Sequence, residues 1–164
     1  MITTEKPGKI PDYMGNRGYK SIDILIVEDN PGDIRLINEV LNDNKVFSTV
    51  NTVNDGVDAM DYLNSRGKFK NAAKPDLILL DLNLPKKDGR EVLAEIKSDE
   101  RLKYIPVVVM TISQSEEDIF KSYNLHANCY VTKPIDLNQF IKVIKSIEEF
   151  WFSIVKLPSR PYGT

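Results

Sequence analysis

The chain has 164 residues, 41% of them apolar and 28% charged, with a net charge of −2, which suits one compact domain with short additions at its ends. Near-neutrality removes the electrostatic case for nucleic-acid binding. No apolar stretch approaches the ~20 residues that span a membrane, and the start, Met1 to Lys6, lacks the apolar region of a secretory signal. A single cysteine, Cys129, excludes an internal disulfide and fits a reducing compartment, so a cytoplasmic location is expected.

Residues 1–20 carry Pro7, Gly8, Pro11, Gly15 and Gly18 with little apolar periodicity and are expected to form a flexible N-terminal arm. The domain proper is expected over 21–157, with 158–164 as a tail. A first strand covers about 23–28, an apolar run of branched residues that ends in Glu28 and Asp29. Asn30 then caps a helix with Pro31 at its first position, and Ile34, Ile37, Val40 and Leu41 form the inward stripe. A short strand near Ser48–Thr52 precedes a helix over about 55–64 that buries Val57, Met60 and Leu63.

The third strand runs Asp76–Asp81 and ends on a second carboxylate position. Asp88 and Glu91 read as a capping box for a helix that turns Val92, Leu93 and Ile96 inward. Pro106–Met110 forms a fourth strand ending at Thr111, and Ser113 with Glu116 reads as a second capping box. Cys129–Val131 is the last strand. Asp136 caps a final helix whose apolar pattern continues to Leu157, with Ile144, Ile147, Trp151, Ile154 and Val155 inward and Val143, Phe150 and Phe152 outside that stripe.

Five strands alternating with five helices predict an α/β fold, a doubly wound parallel sheet of order 2-1-3-4-5. That order makes the first and third strands neighbours, so Glu28, Asp29 and Asp81 converge at the carboxyl ends where such sheets bind ligands. Three carboxylates there make an oxygen site for a hard divalent cation and suit metal-assisted chemistry on a phosphoryl group. Thr111 and Lys133 reach the same edge from the fourth and fifth strands. His126 is the sole histidine, which leaves no partner for a zinc or triad site and points to a structural or solvated role.

The segments Val27-Glu28-Asp29-Asn30, Asp81 through Gly89, Thr111 and Lys133-Pro134, in this order over about residues 22–148, resemble the receiver domain of two-component response regulators, a flavodoxin-like fold. The resemblance implies that Asp81 is the phosphoacceptor, its ionised carboxylate attacking phosphorus to give an aspartyl phosphate. It implies Mg2+ held by Asp29, Asp81, the carbonyl of Asn83 and waters, with Glu28 holding one water. Lys133 would pair with a phosphoryl oxygen, Thr111 would turn its hydroxyl to the acyl phosphate, and Tyr130 would follow as the switch aromatic. The Lys133–Pro134 bond is cis in the family. Ile112 departs from the small residue usual after the threonine and would act as a gate to Asp81.

The resemblance further implies a single-domain regulator of the kind partnered with phytochrome-type sensor histidine kinases, with onward transfer to a histidine phosphotransfer protein left open. The apolar positions outside the last helix's stripe, Val143, Phe150 and Phe152, predict a homodimer through helix four, strand five and helix five. Two alternatives compete. A dehalogenase-type phosphatase would want a second acid where Asn83 stands, and a receiver-like scaffold acting without phosphorylation is kept in play by Ile112.

Overall fold

The computed structural model describes residues 21–42 and 48–158. The arm expected over 1–20 and residues 159–164 of the expected tail lie outside them. The described elements are β1 (Ile22–Val27), α1 (Pro31–Asn42), β2 (Ser48–Val53), α2 (Gly56–Leu63), β3 (Leu77–Leu80), α3 (Gly89–Ser98), β4 (Val107–Thr111), α4 (Glu116–Asn124), β5 (Cys129–Thr132) and α5 (Leu137–Glu148). The strands form one parallel sheet, as their alternation with helices predicts, in the expected order β2-β1-β3-β4-β5.

Alternate residues of the central strands feed two cores, because successive side chains leave a strand on opposite faces. Leu25, Val27, Ile78, Leu80 and Val109 pack with Met60 and Leu63 of α2 and Val92, Leu93 and Ile96 of α3. Ile24, Ile26, Leu77, Leu79 and Met110 pack with Ile37 and Leu41 of α1 and Phe140 and Ile144 of α5. Each such burial stabilises by about 1.5–3 kcal/mol, which fixes β1 and β3 as the rigid middle of the molecule.

Four helix starts are closed by side chains: the carboxamide of Asn30, the carboxylates of Asp55 and Asp136, and the hydroxyl of Ser115 accept amides three residues on. Two expectations about caps fail. Asp88 makes no cap bond, because its carboxylate is taken by the Arg90 guanidinium at 3.0 and 3.2 Å, a charged donor that outcompetes an amide. Ser113 does not cap α4, which starts two residues later than expected; its hydroxyl instead donates to Asp118 at 2.7 Å. Val57 is 43% exposed rather than buried, since the covered arc of α2 runs through Gly56, Ala59, Met60 and Leu63 and Val57 lies beyond its edge.

The last helix also departs from expectation. After Glu148 the chain passes into a π-helical turn, Glu149–Ile154. An i→i+5 turn is wider than the α-helix, so the facing of residues extrapolated at 100° per step no longer holds beyond it. Ile154 is therefore 64% exposed, whereas Phe152 packs with Trp151 against the α1–α5 core. Val143 packs there too, and only Phe150 of the three expected outer residues is exposed, edge-on to Trp151. No cis peptide bond occurs among the described residues, so Lys133–Pro134 is trans, the ordinary isomer even before proline, and not cis as the resemblance implied.

Candidate functional site

β1 and β3 run side by side with Val27 opposite Leu80, so the residues that follow them emerge together. The amide of Asp81 donates to the carbonyl of Val27 at 3.0 Å, and that of Glu28 to Val53 at 3.1 Å. Carboxylate oxygens of Glu28, Asp29 and Asp81 lie within 4.8 Å of one another. Glu28 and Asp81 are buried, and Asp29 is exposed at the mouth.

Lys133 reaches this group because its amide donates to the carbonyl of Thr111 at 2.7 Å, prolonging the pairing of β4 and β5. Its ammonium donates to Glu28, to Asp81 at 2.9 Å and to Asp33 at 3.0 Å. A buried ammonium needs such partners, since charge taken out of water is costly unless paired. Burial works against the charge of Lys133, but the hydrogen bonds it donates to Glu28 and Asp81, and their negative charges, prevail and raise its pKa. Burial, with the neighbouring charge of Asp81, lifts the Glu28 carboxyl above the usual range, against the pull of Lys133.

The β3–α3 loop folds Asn83 back, its amide donating to Asp81 at 3.0 Å and its carboxamide to the Thr111 hydroxyl at 3.3 Å. Thr111 is fully buried. Two glycines make the loop fit. A Cβ on Gly89 would lie 2.2 Å from the carbonyl oxygen of Asp81, and one on Gly56 would lie 2.1 Å from that of Lys87. Ile112, next to Thr111, is 69% exposed and faces solvent. Half-buried Tyr130 donates its hydroxyl to the carbonyl of Ser113 at 2.9 Å.

The geometry thus gathers Glu28, Asp29, Asp81, Asn83, Thr111 and Lys133 at one end of the sheet. It leaves Val143, Phe150 and Phe152 on α5 and the turn after it. Asp33 joins the group through Lys133, although in sequence a charged residue in a first helical turn reads only as a helix signal. Arg90 and Asp118 were missed because their fork, at 2.9 and 2.7 Å, joins residues far apart in the chain. The three clustered carboxylates are a hard oxygen donor set with an exposed member, which fits a divalent cation of the Mg2+ type rather than a soft metal.

Residues 24–145 match the model of the response regulator receiver domain, and the chain belongs to that family. This makes it a receiver-domain response regulator and not a classical enzyme of the dehalogenase type. Over 136 residues, 83% of this chain and 92% of its relative, it is 51% identical to response regulator Rcp1 of Synechocystis sp.. The crystal structure of the phosphorylated cyanobacterial phytochrome response regulator RcpA is similar with a TM-score of 0.83 at 59% identity, covering 85% of this chain and all of that one (100%). The Mn²⁺-bound form of Rcp1 is similar with a TM-score of 0.83 at 50% identity, covering 84% and 99%. No helix among the described residues is long and apolar enough to cross a membrane.

Proposed function

We propose that Asp81 accepts a phosphoryl group from a sensor histidine kinase and that the modified receiver changes its protein partners. The observation that carries this is the Asp81 carboxylate, buried at the end of β3 with Lys133 at 2.9 Å and the oxygens of Glu28 and Asp29 beside it. Likeness to RcpA and Rcp1 supports a phytochrome-type kinase as the donor, and with it a cytoplasmic location. An Asp81 oxygen forms the new bond to phosphorus as the bond from phosphorus to the kinase histidine breaks, and the departing imidazole keeps the nitrogen electron pair. Mg2+, held by Asp29, Asp81 and the Asn83 carbonyl with Glu28 acting through water, would neutralise charge on the phosphoryl oxygens.

Lys133 then pairs with a phosphoryl oxygen, and Thr111 turns its hydroxyl from Asn83 to the acyl phosphate. Tyr130 follows as the switch aromatic, carrying with it the loop that its hydroxyl holds through Ser113. Ile112 limits access to Asp81 by water and small donors. A homodimer and onward transfer to a histidine phosphotransfer protein complete the proposal. The dimer face draws on Phe150 and on exposed Phe120, Tyr123 and Leu137, with Val143 and Phe152 contributing only their uncovered edges.

The test is incubation with a candidate histidine kinase, Mg2+ and labelled ATP. Acid-labile label is expected on the wild type and absent from Asp81→Asn or after chelation of the metal. Label retained by Asp81→Asn overturns the assignment, and partner binding with no label on the wild type favours the phosphate-independent scaffold. Sedimentation of the phosphorylated protein, with Phe150→Glu as the disrupting variant, checks the dimer.

A further inference from the structure

The Lys133 ammonium has three N–H donors. Three carboxylates take them, those of Glu28, Asp33 and Asp81. A phosphoryl oxygen arriving at Lys133 must therefore displace one of the three. Asp81, as the acceptor itself, stays beside the lysine when it takes the phosphoryl group, and the Glu28 side chain is only 3% exposed, so a carboxylate that lost the lysine there would find little water.

Asp33 differs. Its side chain is 29% exposed, so water can take over its hydrogen bonds when the lysine leaves. It lies in the first turn of α1, where the helix dipole stabilises a negative charge without a counter-ion. Its carboxylate is not what closes that turn. Asn30 is the cap, and it accepts the Asp33 amide at 3.1 Å, so the backbone is pinned while the carboxylate extends to Lys133.

Resting on the phosphoacceptor reading above, we infer that Asp33 is a positioning residue that parks Lys133 between phosphorylation events and yields it to the phosphoryl group. It competes with a phosphoryl oxygen for one N–H, and so weakens the hold of the site on that group. Removing its charge while keeping its shape frees the lysine in advance. Lengthening it to glutamate keeps the competitor.

The test is titration of the full chain with beryllofluoride, a phosphoryl mimic, at saturating Mg2+, followed by the Thr111 amide signal in NMR. Asp33→Asn should lower the half-saturating concentration roughly three- to tenfold, and Asp33→Glu should stay within about twofold of wild type. In a Lys133→Ala background the effect of Asp33→Asn should vanish, because the residue acts only through the lysine. An unchanged titration in Asp33→Asn overturns the inference. So does an effect of the same size without Lys133, which would mean direct repulsion of the phosphoryl group. Should Lys133→Ala bind too weakly to titrate, the ¹⁵N signal of the Lys133 ammonium in the unliganded protein decides. Its protons must exchange with water faster in Asp33→Asn, and equal rates overturn the idea. A wild type that neither binds beryllofluoride nor takes label fails the phosphoacceptor reading and the inference with it, whereas wild-type binding with an inert Asp33→Asn fails the inference alone.

Discussion

The centre of the sheet and its α4–β5 edge are held by different forces. Every residue of β3, and Ile24–Val27 of β1, is buried between two helical layers, so Glu28 and Asp81 stand on a base that resists displacement. In α4 only Ser122 is buried, and all four residues of β5 are half-exposed. Beside the partial packing of Leu125, Cys129, Tyr130 and Val131 against the cores, polar ties hold that edge: the fork of Arg90 onto Asp118, the Ser113 hydroxyl on the same carboxylate, and the amide of Tyr130 donating to the Tyr123 hydroxyl at 3.2 Å. Burial is non-directional and large, whereas a hydrogen bond contributes about 1 kcal/mol net and depends on geometry. The proposed phosphoacceptor therefore sits on the rigid part, and the part that costs least to rearrange lies beside Thr111 and Tyr130.

The largest effect should come from the centre. Asp81→Asn is expected to abolish acid-labile phosphorylation while circular dichroism shows an intact fold. Unfolding of this variant would mean that the carboxylate is structural and the division between base and edge is false. Next, Gly89→Ala forces a Cβ to 2.2 Å from Asp81 O and 2.6 Å from Leu82 Cα. Overpacking against backbone should cost about 3 kcal/mol in urea unfolding, and a loss below about 1 kcal/mol would show that this base can yield.

The edge should respond to acid. The Arg90 guanidinium, then the Ser113 hydroxyl, holds the Asp118 carboxyl down at about 2. A carboxyl depressed in the folded state contributes stability that is fully present above its ordinary pKa of about 4 and is lost as pH falls toward 2. Wild type should therefore exceed Asp118→Asn by about 1 kcal/mol at pH 7, with the gap closing below about pH 4. A gap that does not change with pH would remove the clamp from the account of the edge.

The smallest effects on stability are expected at exposed apolar side chains of the same edge. Ile112→Ala and Phe120→Ala should each stay within about 0.5 kcal/mol of wild type in urea unfolding. Ile112→Ala should nonetheless take up phosphate from small donors faster, or lose it faster. If neither rate rises in a time course, Ile112 is not a gate.

Much of this was legible in one dimension because it depends on local pattern. Apolar runs ending in acids place Glu28, Asp29 and Asp81 at strand ends in any doubly wound sheet, and alternation of strands with amphipathic helices leaves few topologies. Asn30 and Asp136 cap as their types and positions predict, because a cap needs only neighbours in sequence. Packing was harder to read. Asp88 and Ser113 match the capping pattern, yet each is drawn away by a charged partner, Arg90 or Asp118, that folding brings near. Val57 is exposed despite its place in the apolar pattern, because the edge of a buried arc depends on what covers the helix.

The contacts that waited on the fold are those that join residues across long stretches of chain. Lys133 meets Asp33 over a separation of 100 residues and Asp81 over 52, and Arg90 meets Asp118 over 28. No periodicity encodes such a pairing, since it is set by which strand ends are adjacent and how far a side chain reaches. The same holds for the turn after Glu148, where a π-helical closure sends Phe152 onto the core and Ile154 into solvent. Local hydrogen bonding and hydrophobic pattern act between near neighbours and are written in the order of residues. Charge pairing and the final facing of side chains act through space, and only the assembled sheet and its helices bring those groups within reach.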